Sequence, residues 1–219
     1  MNDTDFSGVS EKLTELVWNG DRESLTAMVS ELPPADLNLA VSRLASGDRC
    51  EFFAILEPAV AAGILAALKD LGPQNLLAQL APETAAAILH ELPSDLETDF
   101  ISSMKSKSAE RILEHLPARE KDDVRAMARF EPDVAGGLMA TEILQYPITA
   151  TVQDVVDDLR SNAAVYASYN VQYIYVTRPE FELAGVLRVR DLLLSSPDTG
   201  LGDLVSEKPV TVDALTSLE

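Results

Sequence analysis

Cysteine is nearly absent: Cys50 stands alone in 219 residues. A disulfide framework and a cysteine-based zinc site within the chain are therefore excluded, and a reducing compartment suits it. Long apolar runs are missing too. The longest, Pro58 to Leu68, is about half of the roughly 20 residues that span a bilayer. No charged-then-apolar leader opens the chain, so a soluble protein without direct membrane insertion is expected. Basic residues are scarce, 17 Lys and Arg against 36 Asp and Glu, for a net charge of −19. Residues 1–128 carry 22 acids against 11 bases, and residues 129–219 carry 14 against 6. With both halves acidic, there is no cationic face to displace counterions from nucleic acid. No nucleophile with a spaced base, no phosphate-cradling glycine loop and no HExxH motif occurs, so no enzyme activity is expected.

What is present is a globular composition, 47% hydrophobic with only 5% aromatic residues, rich in the Ala and Leu that suit close-packed helices. It is organised as a repeat of 24 residues. EPAVAAGILAAL at 57–68, APETAAAILHEL at 81–92 and KSKSAERILEHL at 105–116 align Ala61, Ala85 and Ala109, then Ile64, Ile88 and Ile112, then Leu65, Leu89 and Leu113. Leu44, Leu68, Leu92 and Leu116 continue the register. Apolar residues at i, i+3, i+4 and i+7 form one face of a helix. LGPQ at 71–74, LPSD at 92–95 and LPAR at 116–119 restart the chain with proline near a helix beginning. Each unit thus reads as two short helices whose apolar stripe needs the next unit to cover it, which is the logic of a stacked solenoid. The first segments fit less regularly, as a capping repeat should: Leu13, Leu16 and Val17 follow Ser10, and Leu25, Met28, Val29 and Leu32 follow Asp21. Gly20 sits where a helix C-terminal cap belongs, and Trp18 is expected to pack the first helix. His90 and His115, with no third ligand, are expected to be ordinary surface or partly packed histidines.

After Met139 the rhythm changes. EILQY (142–146) is a short strand candidate, TVQDVVDDLR (151–160) an amphipathic helix, VQYIYV (171–176) a β-branched and aromatic strand, and LAGVLRV (183–189) a strand pairing back across the PEFE turn. RDLLLSS then begins a helix. The fold class expected is mainly α with a C-terminal α+β module.

FEPDVAGGLMATEILQY, YIYV and GVLRVRDLLL, together with the preceding repeat, resemble the intracellular region of the MgtE family of magnesium transporters. The resemblance implies an N domain of stacked helix pairs over 1–129, a hinge or linker at 130–140, a first CBS module at 141–202 and the start of a second at 203–219. KPVTVDALTSLE would supply that second module's opening strand and first helical turn. It also implies a cytosolic magnesium-sensing region of a transporter or channel, in which Mg²⁺ bridges acidic domain faces to close the pore. A homodimer through the CBS region and a transmembrane domain of the same transporter are the implied partners. A soluble CBS-type adenine-nucleotide-binding module and a helical interaction scaffold are the alternatives.

The candidate site residues follow. Asp95 and Asp99 lie four apart, so a helix places both on one face. Mg²⁺, a hard cation that keeps several waters and takes one or two carboxylates from any element, suits them. Acids in a first helical turn also meet the helix dipole favourably, so Asp95 and Glu97 have a capping reading as well. The resemblance places magnesium-binding acids at this position, facing acids of the second module. Glu131 and Asp133 are weaker metal candidates, since a loop before the glycine pair directs them either to an ion or to water, while Gly63 stands where the family's repeat can carry an acid. Gly136 and Gly137 suit a pivot, since glycine accepts positive φ and close backbone approach, or alternatively a helix C-terminus. For an adenine nucleotide the resemblance selects Tyr173 and the Arg190–Asp191 pair, with Asp accepting from ribose hydroxyls and Arg meeting phosphate. Arg188 replaces the Ser or Thr usual three residues before that Asp, and core packing is the reading of Tyr173 preferred to nucleotide contact.

Overall fold

The computed structural model describes residues 3–68, 72–167, 169, 171–205 and 209–219. Two compact units divide it, Met1–Leu138 and Met139–Glu219.

The first unit is helical. It opens with α1 (Asp3–Asn19) and α2 (Arg22–Glu31), and continues through α3 (Pro34–Arg43), α4 (Ser46–Ile55), α5 (Pro58–Ala67), α6 (Pro73–Leu77), α7 (Pro82–His90), α8 (Ser94–Ser102), α9 (Ser106–Leu113) and α10 (Ala118–Met127). The starts of α3, α5, α7 and α9 repeat the 24-residue spacing, so the periodicity begins one unit before the clearest sequence copies. Proline stands at or next to the first position of α3, α5, α6 and α7, where its missing N–H costs nothing and its φ is already helical. Helix α1 ends on a Schellman turn. Gly20, at φ +63°, donates to the Val17 carbonyl at 3.1 Å, and Asp21 N–H reaches the Leu16 carbonyl at 3.1 Å. Asp21 then caps α2 by accepting from Ser24 N–H. Arg49 on α4 closes the preceding turn, its guanidinium donating to the carbonyls of Val41, Ser42 and Leu44 at 2.9–3.2 Å.

Packing follows the repeat. α3 lies on α5, α5 on α7 and α7 on α9, while α6 lies on α8 and α8 on α10. Ile64, Ile88 and Ile112 are 6%, 0% and 2% exposed, so the aligned isoleucines are core. Each short helix buries its stripe only because a neighbour covers it, and the covered stripes merge into one continuous core running from Leu13 to Val124. Trp18 departs from expectation. It is 75% exposed and donates its indole N–H to Asp48 Oδ1 at 2.9 Å, because Leu13 and Val17 occupy the inward face of α1.

The second unit is the expected α+β module. Strands β1 (Leu144–Pro147), β2 (Tyr173–Thr177) and β3 (Leu183–Arg188) lie in the order β1-β2-β3, with β1 parallel and β3 antiparallel to β2. A parallel pair needs a crossover, provided by α11 (Val152–Ser161) and a short α12 (Ala163–Tyr166) that the pattern did not suggest. Thr151 and Asp154 form a reciprocal capping box at the start of α11. Helices α13 (Val189–Leu193) and α14 (Leu201–Leu204) follow. Leu144, Val155, Ile174, Val176, Leu187, Leu192 and Leu201 fill a separate core. Strand β1 starts two residues later than expected, since its ladder begins only at the Leu144–Ile174 pair. The strand and helical turn expected at the chain's end differ more. Residues 209–219 hold no helix or strand, only a turn and an isolated bridge position at Ser217, and Val210 is 99% exposed.

Candidate functional site

Helix α8 and the segment after α10 enclose a cleft of about 310 Å³. Asp99 and Ser102 enter it from α8, and Phe130, Glu131, Gly136 and Gly137 from the segment 130–137. The helical rise sets this up: with Phe100 and Ile101 buried, the flanking residues Asp99 and Ser102 fall three apart on the open face. Glu97, whose place in the first turn suggested capping, is only 3% exposed.

Of the four metal candidates, Asp99 and Glu131 share the cleft, and Asp95 and Asp133 are not among its lining residues. Asp95 Oδ1 accepts from Leu96 N–H at 2.8 Å, a local contact in the first turn of α8. Among the described residues no three His, Cys, Asp or Glu side chains come together as a metal cluster. Asp99, Glu131 and Ser102, residues that line the cleft, nevertheless carry hard oxygen donors in their side chains, a chemistry that fits Mg²⁺ with most of its coordination left to water. The hydroxyls of Thr98 and Ser102 carry no signature in the sequence that would have placed them here.

The glycine pair lies in a 3₁₀ turn, Ala135–Leu138. Positive φ among the described glycines belongs to Gly20 and Gly72 and not to this pair. Space, not handedness, is the requirement at Gly137.

Both histidines touch a glutamate of an adjoining repeat. His90 Nδ1 is 2.6 Å from Glu120 Oε2, and His115 Nε2 is 3.6 Å from Glu83 Oε1.

In the second unit, Tyr173 pairs with Arg188 in the ladder, and Val189 N–H donates to the Gln172 carbonyl at 3.1 Å. Helix α13 therefore starts at the end of the sheet where Tyr173 stands. Tyr173 is 44% exposed, which overturns the core-packing reading: at the first position of β2 its side chain faces away from buried Ile174 and Val176. Arg190 Nη2 lies 3.4 Å from Asp191 Oδ1, both exposed. The three nucleotide candidates thus gather at one end of the sheet. A second cleft, of about 400 Å³ and lined by Pro147, Ile148, Thr177 and Arg178, contains none of them.

One polar network had no forewarning. Asp158 Oδ2 accepts from the hydroxyls of Tyr146 at 2.5 Å and Tyr166 at 2.8 Å, and Asp158 Oδ1 accepts from Asn162 Nδ2 at 2.7 Å. Donation by Tyr146 and then Tyr166 holds the Asp158 carboxyl below its ordinary range. Burial and then the Asp158 bond push the Tyr146 hydroxyl well up. The Asp158–Asn162 spacing was visible as an i, i+4 pair, but the tyrosines come from β1 and α12.

Together these units define a class: an acidic helical-repeat domain with a cleft lined by oxygen-bearing residues, joined in sequence to a small α+β module. Residues 32–133 match the family described as the MgtE intracellular N domain. Two proteins named magnesium transporter MgtE, from Thermus thermophilus and Bacillus subtilis, are 37% identical over 101 residues and 34% over 102. These alignments cover 46% and 47% of this chain and 22% of each relative. The chain thus spans about a fifth of the curated relatives it matches. A crystal structure of the cytosolic domain of the Mg²⁺ channel MgtE in complex with ATP superposes with a TM-score of 0.80 at 31% identity, covering 95% of this chain and 84% of that one. The soluble part of a magnesium transporter superposes at 0.77 with 22% identity over 97% and 83% of the two chains, a likeness of fold. The chain belongs to the MgtE family.

Proposed function

We propose that this chain is the cytosolic, magnesium-sensing regulatory region of a magnesium transporter or channel, acting by ligand-controlled conformation and not by catalysis. The observation that carries the proposal is the meeting of Asp99 and Glu131 in one cleft that also includes Gly136 and Gly137, in a chain 31% identical to the cytosolic domain of a Mg²⁺ channel.

A bound Mg²⁺ supplies two positive charges and an oxygen coordination shell. Asp99 and Glu131 would hold it directly or through its waters, with Asp95 one turn away adding negative potential and Asp133 nearby in sequence. Without a cation the carboxylates repel, and a net charge of −19 opposes any state that crowds acidic faces. The compact state, with acids drawn together around residues 130–140, is favoured only by the difference in its affinity for the ion. That state would hold an attached transmembrane pore shut.

Any divalent ion stabilises so acidic a chain to some extent, so the test compares variants. Ionic strength is held constant and high enough to bring the screening length below about 8 Å. Mg²⁺ should raise the melting temperature of the parent, since a ligand that prefers the folded state stabilises it by RT ln(1 + [L]/Kd). Asp95→Asn/Asp99→Asn should lose most of that gain. Equal gains in both chains would reduce these acids to solvated surface.

A second ligand has its own support. Tyr173, Arg190 and Asp191 lie at one end of the sheet, and the similar cytosolic domain was crystallised in complex with ATP. We propose that this end accepts an adenine nucleotide, with Arg190 toward phosphate and Asp191 toward the ribose hydroxyls. Loss of ATP binding by calorimetry in Asp191→Ala is the expected result. Leu193 and Leu194, at the end of α13, are 65% and 79% exposed, an apolar edge consistent with homodimerisation through this module. Light scattering that finds only monomer at high concentration would refute the dimer.

A further inference from the structure

After α10 the chain folds back on itself within a few residues. Phe130 N–H donates to the Met127 carbonyl at 3.0 Å, Val134 N–H to the Glu131 carbonyl at 3.3 Å, and Gly137 N–H to the Val134 carbonyl at 3.0 Å. Two successive tight turns bring residue 137 against residue 131. A Cβ at position 137 would lie 2.5 Å from the Glu131 carbonyl oxygen, 3.1 Å from Pro132 Cα and 3.3 Å from the Glu131 carbonyl carbon. All three are main-chain atoms, so no rotamer change relieves the clash. Pro132 has a fixed φ and restricts Glu131 before it to extended backbone, so the pair moves as a stiff unit or not at all. Gly63, by contrast, has nothing within 4 Å of a Cβ.

We propose that Gly137 is a positioning residue for Glu131: its missing side chain lets the main chain at 131–132 seat where residue 131 lines the cleft with Asp99 and Ser102. Its steric role stands on the backbone geometry alone, whereas its consequence for ion binding rests on the magnesium reading above. A methyl group at 137 pushes the Glu131 carbonyl outward, weakens the Val134 bond to it, and carries the carboxylate away from Asp99. Any pivoting at the glycine pair is then coupled to the ligand set, because the chain cannot alter its path at 137 without moving residue 131.

The test uses the whole chain as parent, Gly137→Ala, Glu131→Gln, the double variant, and Gly63→Ala as a substitution into open space. Amide hydrogen exchange reads the geometry: the Val134 amide should exchange about tenfold faster or more in Gly137→Ala, as local opening becomes easier, and at the parental rate in Gly63→Ala. Unchanged exchange in Gly137→Ala overturns the steric argument. The Mg²⁺ concentration giving half of the thermal stabilisation reads the function. Gly137→Ala should raise it by about 10–100-fold, the usual effect of disturbing a group that orients a ligand. In the Glu131→Gln background the same substitution should add nothing, because its effect passes through that carboxylate. An unchanged Mg²⁺ response in Gly137→Ala, or additive effects in the double variant, would sink the positioning role. If the parent itself shows no Mg²⁺-specific gain, the magnesium reading fails and the ion-binding role falls with it, while the exchange data still decide whether Gly137 holds residue 131.

Discussion

Ile88→Ala tests the stacked repeat at its centre. Ile88 is fully buried on α7, the helix flanked by both α5 and α9, and its neighbours Ala85 and Leu89 are fully buried too. The substitution removes three carbons, a transfer loss of about 2.4 kcal/mol at about 0.8 kcal/mol per buried methylene. A cavity term adds to this because the site is walled on both sides and collapses poorly, and measured Ile→Ala costs run at about 2–5 kcal/mol. The expected loss is therefore about 3–4 kcal/mol. Urea unfolding followed by circular dichroism and by Trp18 fluorescence provides the assay. For an m-value of about 2 kcal/mol/M the midpoint should fall by about 1.5–2 M with m unchanged. Coincidence of the two probes is part of the measurement, since repeat arrays can lose cooperativity. Ala87→Ser, on the exposed face of the same helix, should cost only about 0.5 kcal/mol through helix propensity. A loss below about 1 kcal/mol for Ile88→Ala would mean that α7 is not sandwiched between repeats, and the stacking argument would fail.

Three further outcomes are expected. Tyr146→Phe should destabilise the second unit by about 1–2 kcal/mol, at or below the low end of the range for a hydrogen bond to a charged group because the contact is only partly buried. Because the Asp158 carboxyl is held below its ordinary range, its contribution is fully present above about pH 4 and fades as pH falls through the lowered folded value. Thermal melts of Tyr146→Phe between pH 5 and 2 should accordingly fall less steeply than those of the parent. Glu180, at φ 65° in the hairpin tip, is the non-glycine residue with positive φ among those described; Glu180→Val should cost about 1 kcal/mol or more, while Glu180→Gly should be neutral or slightly stabilising, and the reverse order in chemical denaturation would contradict the strained turn. Arg49→Met leaves three carbonyls without their donor and should cost about 1.5–3 kcal/mol in urea unfolding; a neutral result would show that water replaces the guanidinium.

Where a residue acts on its sequence neighbours, the amino-acid order alone decided the outcome. Apolar residues recurring at helical spacing every 24 positions made Ile64, Ile88 and Ile112 core, since a short amphipathic helix has nowhere else to bury its stripe. Gly20 and Asp21 ended one helix and began the next through contacts reaching only a few residues. YIYV and GVL alternated their burial as paired strands must. Tertiary structure decided whatever depended on which surfaces meet. Trp18 looks like a core residue in composition, yet the face of α1 that carries it meets solvent and Asp48. Tyr173 belongs to the same β-forming run as buried Ile174 and Val176, but its place at the sheet end, on the other face of the strand, leaves it exposed. Asp95 and Asp99 are an i, i+4 pair on one helix, and only the return of segment 130–137 onto α8 puts Asp99, and not Asp95, among the residues that line a cleft with Glu131. The tyrosines on Asp158 come from elements 12 and 8 residues away, and His90 finds Glu120 across 30. Periodicity sets which way a side chain points from its own element, and packing sets what it finds there.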